Sequence, residues 1–345
     1  AQAKMLGLLA GAIHAAPERY PPRLSSIPKL GLGTAALGRP GYINLGRDAD
    51  LPDRPERTVE WMQSNAHSVL DAAVEHGLKY IDCARSYGRA EDFVSSWLAD
   101  RLSVDVIVGS KWGYEYTADW RIEVGDGEAH ERKYHTHAQL VKQLSESKKL
   151  LPSLAIYQIH SATEASGVLE STEVLDELAS LRDSGVVCGL SVSHPQVATI
   201  ERATSLAVGG APLFGSVQAT FNLLDQSAAD ALQTAHKAGM FIIIKEAVAN
   251  GRLTSRAEPS QRLQILQAEA AALGTSVDAL SLAWVISHPW VGVCLSGAST
   301  IEQLASNAEA LRLAPLPEEM FARLGAAMKQ DCEEYWADRR ALAWN

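Results

Sequence analysis

Eight times along this chain a short run rich in Val, Ile or Leu gives way to a longer stretch with helical spacing, and this alternation limits the folds open to it. The runs are "KLGLGTA" from Lys29, "KYIDCA" from Lys79, "DVIVGSK" from Asp105, "LAIYQIHS" from Leu154, "VVCGLSVS" from Val186, "SVQATF" from Ser216, "FIIIKEA" from Phe241 and "VGVCLSGA" from Val291. They are apolar almost throughout, as strands buried on both faces must be. Between them lie amphipathic stretches such as "SVLDAAVEHG", "STEVLDELASLRDSG" and "AADALQTAHKAG", several ending in the glycine that a helix C-terminus prefers. About eight β-α units with no second kind of pattern predict an α/β fold, a (β/α)8 TIM barrel, with an open doubly wound sheet as the other arrangement of such units. At 345 residues and 47% hydrophobic content the chain can bury one large core. The expected division is an extension over 1–28, the barrel over 29–330, and a tail over 331–345 that reads as a helix with a docking end.

A formal net charge of −10 and a pI near 5.5 argue against nucleic acid or an anionic membrane as partners, because both select basic surfaces. Cys83, Cys188, Cys294 and Cys332 are widely separated with no CxxC pair, which fits neither a zinc site nor a disulfide framework and suits a reduced, cytoplasmic setting. The stretch "MLGLLAGAIHAA" near the start is too short to span a bilayer and reads as a packed helix, with a targeting remnant as the alternative.

In a barrel, function is read at the C-terminal ends of the strands and in the loops that follow them. Asp82, Lys111 and His160 fall at the ends of the second, third and fourth strands, and Tyr87 lies in the loop after Asp82. These residues have a joint chemical logic. A phenol in water has a pKa near 10, too high for easy proton donation at neutral pH. A lysine ammonium beside it favours the phenolate, an aspartate keeps the lysine charged and aimed, and a neutral imidazole can hydrogen-bond the same oxygen or a substrate carbonyl.

"YIDCARSYG", "VGSKWG" and "YQIHSAT" resemble, in order and spacing, the Asp-Tyr, Lys and His segments of the aldo-keto reductases, and the similarity runs from about Lys29 to Leu313. The resemblance implies interconversion of a carbonyl and an alcohol with a nicotinamide cofactor. In it Tyr87 is the general acid/base, Lys111 tunes it, Asp82 pairs with Lys111, and His160 orients the carbonyl. It further implies that Ser191 in "GLSVSH" and Gln218 in "VQATFN" hold the nicotinamide carboxamide. "LSGASTIEQLASN", carrying Gly297, Ser299, Thr300, Gln303 and Asn307, resembles the block that binds the adenosine 2′-phosphate and adenine. A phosphate at the start of a helix near Thr300 is favoured by free N–H groups and the helix dipole.

Three positions depart from the family pattern. Val192 replaces an asparagine beside Ser191, Lys245 stands where a ring usually stacks on the nicotinamide, and the 2′-phosphate block has no arginine. The implied cofactor is therefore NADP(H) with NAD(H) possible. A nucleotide-binding sensor or regulatory barrel with little turnover, and an NAD-dependent sugar or alcohol dehydrogenase, are the alternatives.

Two segments break the β-α rhythm, Arg39 to Trp61 and Trp112 to His137, and both fall on the catalytic face as long βα loops. Trp112, Tyr114 and Trp120 are candidate walls of a substrate pocket for a small carbonyl or alcohol. His130, His135 and His137 read as solvated loop histidines, since no cysteine or carboxylate set completes a metal site. Nothing in the sequence sets monomer against homo-oligomer.

Overall fold

A computed structural model describes residues 22–101 and 103–345. The extension over 1–21, with its expected helix, lies outside the described residues. Eight parallel strands form the barrel: β1 (Leu30–Gly33), β2 (Tyr80–Asp82), β3 (Ile107–Trp112), β4 (Leu154–Ala162), β5 (Val187–Val192), β6 (Ser216–Thr220), β7 (Phe241–Lys245) and β8 (Val293–Ser296). Each pairs with its sequence neighbour, and β8 closes on β1 through Leu30↔Cys294, Gly31↔Leu295 and Leu32↔Ser296. That closure excludes the open sheet.

Helices follow every strand: α1 (Val59–Glu75), α2 (Ala90–Ala99), α3 (His137–Leu150), α4 (Thr172–Asp183), α5 (Val197–Ser205), α6 (Ala229–Lys237), the pair α7 (Gln261–Ala272) and α8 (Val277–Ile286) after β7, and α9 (Ile301–Ala308) after β8. Side-chain oxygens of Thr58, Thr136, Ser260, Ser276 and Thr300 accept from backbone N–H groups in the first turns of their helices, satisfying donors the helix cannot. Gly77, Gly185 and Gly239 follow helix ends at φ 80°, 96° and 97°, a conformation that costs any other residue.

The two-residue period of the strands layers the barrel interior. At its lower end Tyr80, Ile107, Ile156, Phe241, Ile243, Val293 and Leu295 form an apolar cluster closed from below by Leu24 and Ile27. One step up, Gly109 makes room for Tyr80, whose hydroxyl would collide with any Cβ there. At the top the same strands end in Asp82, Lys111, His160 and Lys245.

The long loops predicted after β1 and β3 lie at this upper end. The second carries a hairpin that pairs Tyr114–Tyr116 with Glu131–Lys133. Residues 332–340 form α12, after α10 (Ala310–Leu313) and α11 (Glu318–Met328), and bury Tyr335 and Trp336. Among the described residues no single helix is long and apolar enough to cross a membrane.

Candidate active site

Asp82 ends β2, and its backbone carbonyl is held by Thr34, which donates through both N–H (2.9 Å) and Oγ1 (2.8 Å). Its carboxylate accepts from Lys111 Nζ in a buried ion pair, and from Gln218 Nε2 at 2.9 Å. Lys111 Nζ also donates to the Cys83 carbonyl (2.9 Å) and to the Tyr87 hydroxyl (3.3 Å). The lysine is fully buried, so a charge that costs several kcal/mol to desolvate is retained with three oxygen partners around it.

Tyr87 reaches this lysine because the chain turns sharply after β2. Gly88 has φ 60°, and a Cβ there would collide with the Gly38 carbonyl, so the β1 loop and the Tyr87 turn touch backbone to backbone. The phenol is driven well above its ordinary range by burial first, then by Asp82 and Tyr42, while Arg39 opposes the shift. The sequence argument gave that opposing part to Lys111. Lys111 donates to the hydroxyl at 3.3 Å but is paired with Asp82, whose charge raises the phenol's pKa.

His160 is placed by an irregularity in β4. The β4–β5 register shifts between Ile159 and Ala162, Ser161 takes φ 53°, and Ser161 N–H donates to Ser191 Oγ at 2.8 Å. Such bulges re-aim a side chain. The imidazole lies edge-on to Tyr87 with ring centroids 5.4 Å apart, and its Nδ1 is 3.2 Å from Ser86 Oγ. Burial, then Lys111, Lys245 and Arg39, hold its pKa well below 6.5, so the ring is neutral at neutral pH. The tautomer in which Ser86 Oγ donates to Nδ1 is the one that leaves the ring proton on Nε2.

A cavity of about 360 Å³ opens beside this group. Its wall includes Asp82, Tyr87, Gln218, Lys245, Gly297, Ser299, Gln303 and Asn307. Lys111 and Ser191 are buried behind the wall. Lys245 Nζ donates to Thr220 Oγ1 (3.1 Å) and lies 4.0 Å from Glu246, and burial lowers its pKa to about 8. Glu246 is clamped by Arg339 through contacts of 2.5, 2.9 and 3.0 Å.

At the other end of the cavity, α9 is less open than its sequence implied. Thr300 Oγ1 takes the Gln303 N–H (3.3 Å) and Gln303 Oε1 takes the Ser299 N–H (2.9 Å), so two of the donors expected to be free are engaged. Gln303 Nε2 donates to Asp50 at 2.7 Å, and Asp50 is paired with Arg256. Asn307 accepts from Ser296 Oγ (2.8 Å) and donates to Asp278 (2.6 Å). Two features suit the cavity to a long polar ligand. A Cβ on Gly297 would meet nothing within 4 Å, and Asn250 Oδ1, in the wall, is buried without a hydrogen-bond partner.

The candidate pocket aromatics separate. Tyr114 stands edge-on to His160 at 5.0 Å. Trp112 is fully buried against His135, and Trp120 packs on Phe93 and donates to the Arg57 carbonyl at 2.8 Å. None of the three lines the cavity. The histidines are not simply solvated: His135 Nε2 lies 2.8 Å from the His160 carbonyl, with its pKa lowered to about 4 by burial, and His130 stacks on Trp344 at 4.0 Å. His137 opens α3 and stands 3.7 Å from Glu177. Among the described residues no group of three or more His, Cys, Asp or Glu could hold a metal.

Sequence reasoning passed over Arg39, Glu131, Arg256, Arg339 and Trp344, which lie in loops and in residues 332–345, where no periodicity marks them. The "docking end" is real in one respect: Tyr42 and Asn345 exchange two backbone hydrogen bonds of 3.0 Å.

The aldo/keto reductase family model matches residues 29–329. The chain is 26% identical over 293 residues to the uncharacterized oxidoreductase YqkF of Bacillus subtilis (strain 168), covering 78% of this chain and 89% of that one. In fold it is similar to the holo form of aldo-keto reductase AKR11C1 from Bacillus halodurans, with a TM-score of 0.65, 21% identity, and coverage of 88% of this chain and 93% of that one. It is also similar to an aldo/keto reductase from Klebsiella pneumoniae in complex with NADP and acetate, with a TM-score of 0.62, 21% identity, and coverage of 89% and 93%.

Proposed function

The chain belongs to the aldo/keto reductase family, and on that premise we propose that it is an NADP(H)-dependent oxidoreductase interconverting a small carbonyl compound and its alcohol. The observation that carries the proposal is the Lys111 ammonium, which donates to Asp82 and to the Tyr87 hydroxyl in the wall of a cavity that extends from Asp82 to Asn307.

In this reading Ser191 and Gln218 hold the nicotinamide carboxamide, with Lys245 beside the ring. Gly297, Ser299, Thr300, Gln303 and Asn307 hold the adenosine end, and Arg256 is the cation nearest to them in the cavity wall. The nicotinamide, when bound, supplies the hydride to the carbonyl carbon or takes it back from the alcohol. Tyr87 gives its phenolic proton to the carbonyl oxygen in reduction and recovers it in oxidation. Lys111 stabilises the phenolate left behind, and Asp82 keeps that ammonium charged and aimed. Neutral His160 donates a hydrogen bond to the carbonyl oxygen and orients it, so the developing negative charge meets two donors in a site screened from water. The barrel unit is 29–330, with 331–345 as an added segment joined to it through Arg339–Glu246 and Asn345–Tyr42, and the free thiols of all four cysteines suit a cytoplasmic setting.

A second reading, NAD(H) as the preferred cofactor, is favoured by Glu302, a carboxylate in the wall near Ser299 and Gln303 that would oppose a 2′-phosphate, and by Asp50, which occupies Arg256. Parallel titrations with NADPH and NADH, followed by tryptophan quenching, separate the two. Tighter NADPH binding with turnover of members of a carbonyl panel supports the proposal. Tighter NADH binding moves it to the second reading, and binding without any turnover would leave a sensor in place of an enzyme.

A further inference from the structure

Arg39 lies in the loop after β1 and its side chain is 2% exposed, although an arginine so deeply buried is rarely worth more to stability than an apolar side chain of its size. Its surroundings explain its retention. Nη1 donates to the Ser86 carbonyl at 3.0 Å and to Glu131 at 2.6 Å, and Nε donates to the Ala35 carbonyl at 3.3 Å. The guanidinium carbon lies 5.3 Å from the Tyr87 ring centroid, 4.9 Å from that of Tyr42 and 4.7 Å from that of Trp344. The approach is fixed by backbone: Arg89 N–H donates to the Gly38 carbonyl at 2.7 Å, and a Cβ on Gly38 would collide with the Tyr87 carbonyl.

We propose that Arg39 is a positioning residue for Tyr87, with Glu131 as its counter-ion: it fixes the Ser86–Tyr87 backbone and sets a positive charge beside the phenol that favours release of its proton. This inference rests on the oxidoreductase function proposed above.

The charged and titratable groups facing the phenol come from five elements. They are Asp82 on β2, Lys111 on β3, His160 on β4, Arg39 and Tyr42 in the β1 loop, and Glu131 on the hairpin. Asp82, paired with Lys111, raises the phenol's pKa, and His160 is neutral. Arg39 and Glu131 act on the phenol with opposite signs, the arginine lowering its pKa and the glutamate raising it. A clamp that merely held two loops together would fail in the same way whichever partner were removed. An electrostatic role makes the two removals differ in sign.

The test is the pH profile of kcat/KM for alcohol oxidation with NADP, which requires the phenolate and so rises about tenfold per pH unit below the phenol's pKa. Arg39→Met is expected to lower this limb about tenfold, Glu131→Gln to raise it several-fold, and Arg39→Lys to recover most of the rate because the charge returns. Unchanged NADPH affinity in each variant shows that the fold is intact. If Arg39→Met and Glu131→Gln fall together, or neither moves, the proposal is overturned. If no alcohol or carbonyl turns over in the parent protein, the functional reading fails, and the phenol itself decides this inference. Its ultraviolet ionisation is followed to about pH 11 as the difference between each variant and its Tyr87→Phe counterpart. An earlier onset in Glu131→Gln than in Arg39→Met, or a step seen only in Glu131→Gln, sustains the inference, and coincident rising curves or the reverse order overturn it.

Discussion

The lower and upper ends of the barrel are built from the same strands only two to four residues apart, yet they have opposite chemistry. β2 passes from Tyr80 to Asp82, β3 from Ile107 to Lys111, β4 from Ile156 to His160, and β7 from Ile243 to Lys245. Below, the side chains fill space against Leu24 and Ile27, and the Tyr80 hydroxyl among them donates to Asp82 at 3.3 Å. Above, the charges around the site are held in pairs: Lys111 with Asp82, Glu246 with Arg339, Arg39 with Glu131. Residues two or four apart share the inward face, so their height along the barrel axis separates packing from chemistry, with the Tyr80–Asp82 hydrogen bond joining the two layers.

The largest expected break in that separation is Lys111→Met. It removes the proton donor's partner, lowering turnover by about 10²–10⁴, and leaves Asp82 buried without a cation, costing about 3–5 kcal/mol. Adding Asp82→Asn should return much of the stability and none of the turnover, as read by denaturant melts beside rate measurements. Phe241→Ala at the lower end is expected to cost about 3–5 kcal/mol while leaving NADPH affinity unchanged in the cold. A large affinity loss there would mean that the two ends are coupled.

Acid separates them again. Burial raises the Glu246 pKa, but Arg339 and Lys245 outweigh burial and hold it at about 2, against 4.5 for a free glutamate side chain. A depressed folded-state pKa contributes stability that is fully present above pH 4.5 and lost as pH falls toward 2. Arg339→Gln should shrink that acid-side loss, with Lys245 holding the remainder, measured as melting temperature against pH. Ile156→Val is the smallest expected effect, about 1 kcal/mol of stability with kcat unchanged.

How much of this was legible in sequence follows the same division. The strands were readable because burial on both faces forces unbroken apolar runs, and helix ends were readable from Gly77, Gly185 and Gly239. Asp82, Lys111 and His160 were readable because a strand end in a barrel is a site position. Arg39 and Glu131 are 92 residues apart, and their meeting depends on how two loops fold over the barrel, which no period encodes. Trp112 and Trp120 show the converse. Aromatic character marked them as pocket walls, but the hairpin geometry turned Trp112 into the core and Trp120 onto Phe93. The start of α9 was read as open to phosphate because sequence does not reveal that Gln303 would fold back on Ser299 and reach across to Asp50.

The central claim is that Tyr87 is the proton donor of a nicotinamide-linked carbonyl reduction. The direct test compares Tyr87→Phe with the parent protein in two quantities measured on the same samples, NADPH affinity and carbonyl-dependent NADPH consumption. The account predicts affinity within about twofold and turnover reduced by about 10³ or more. Full residual turnover in Tyr87→Phe would contradict it.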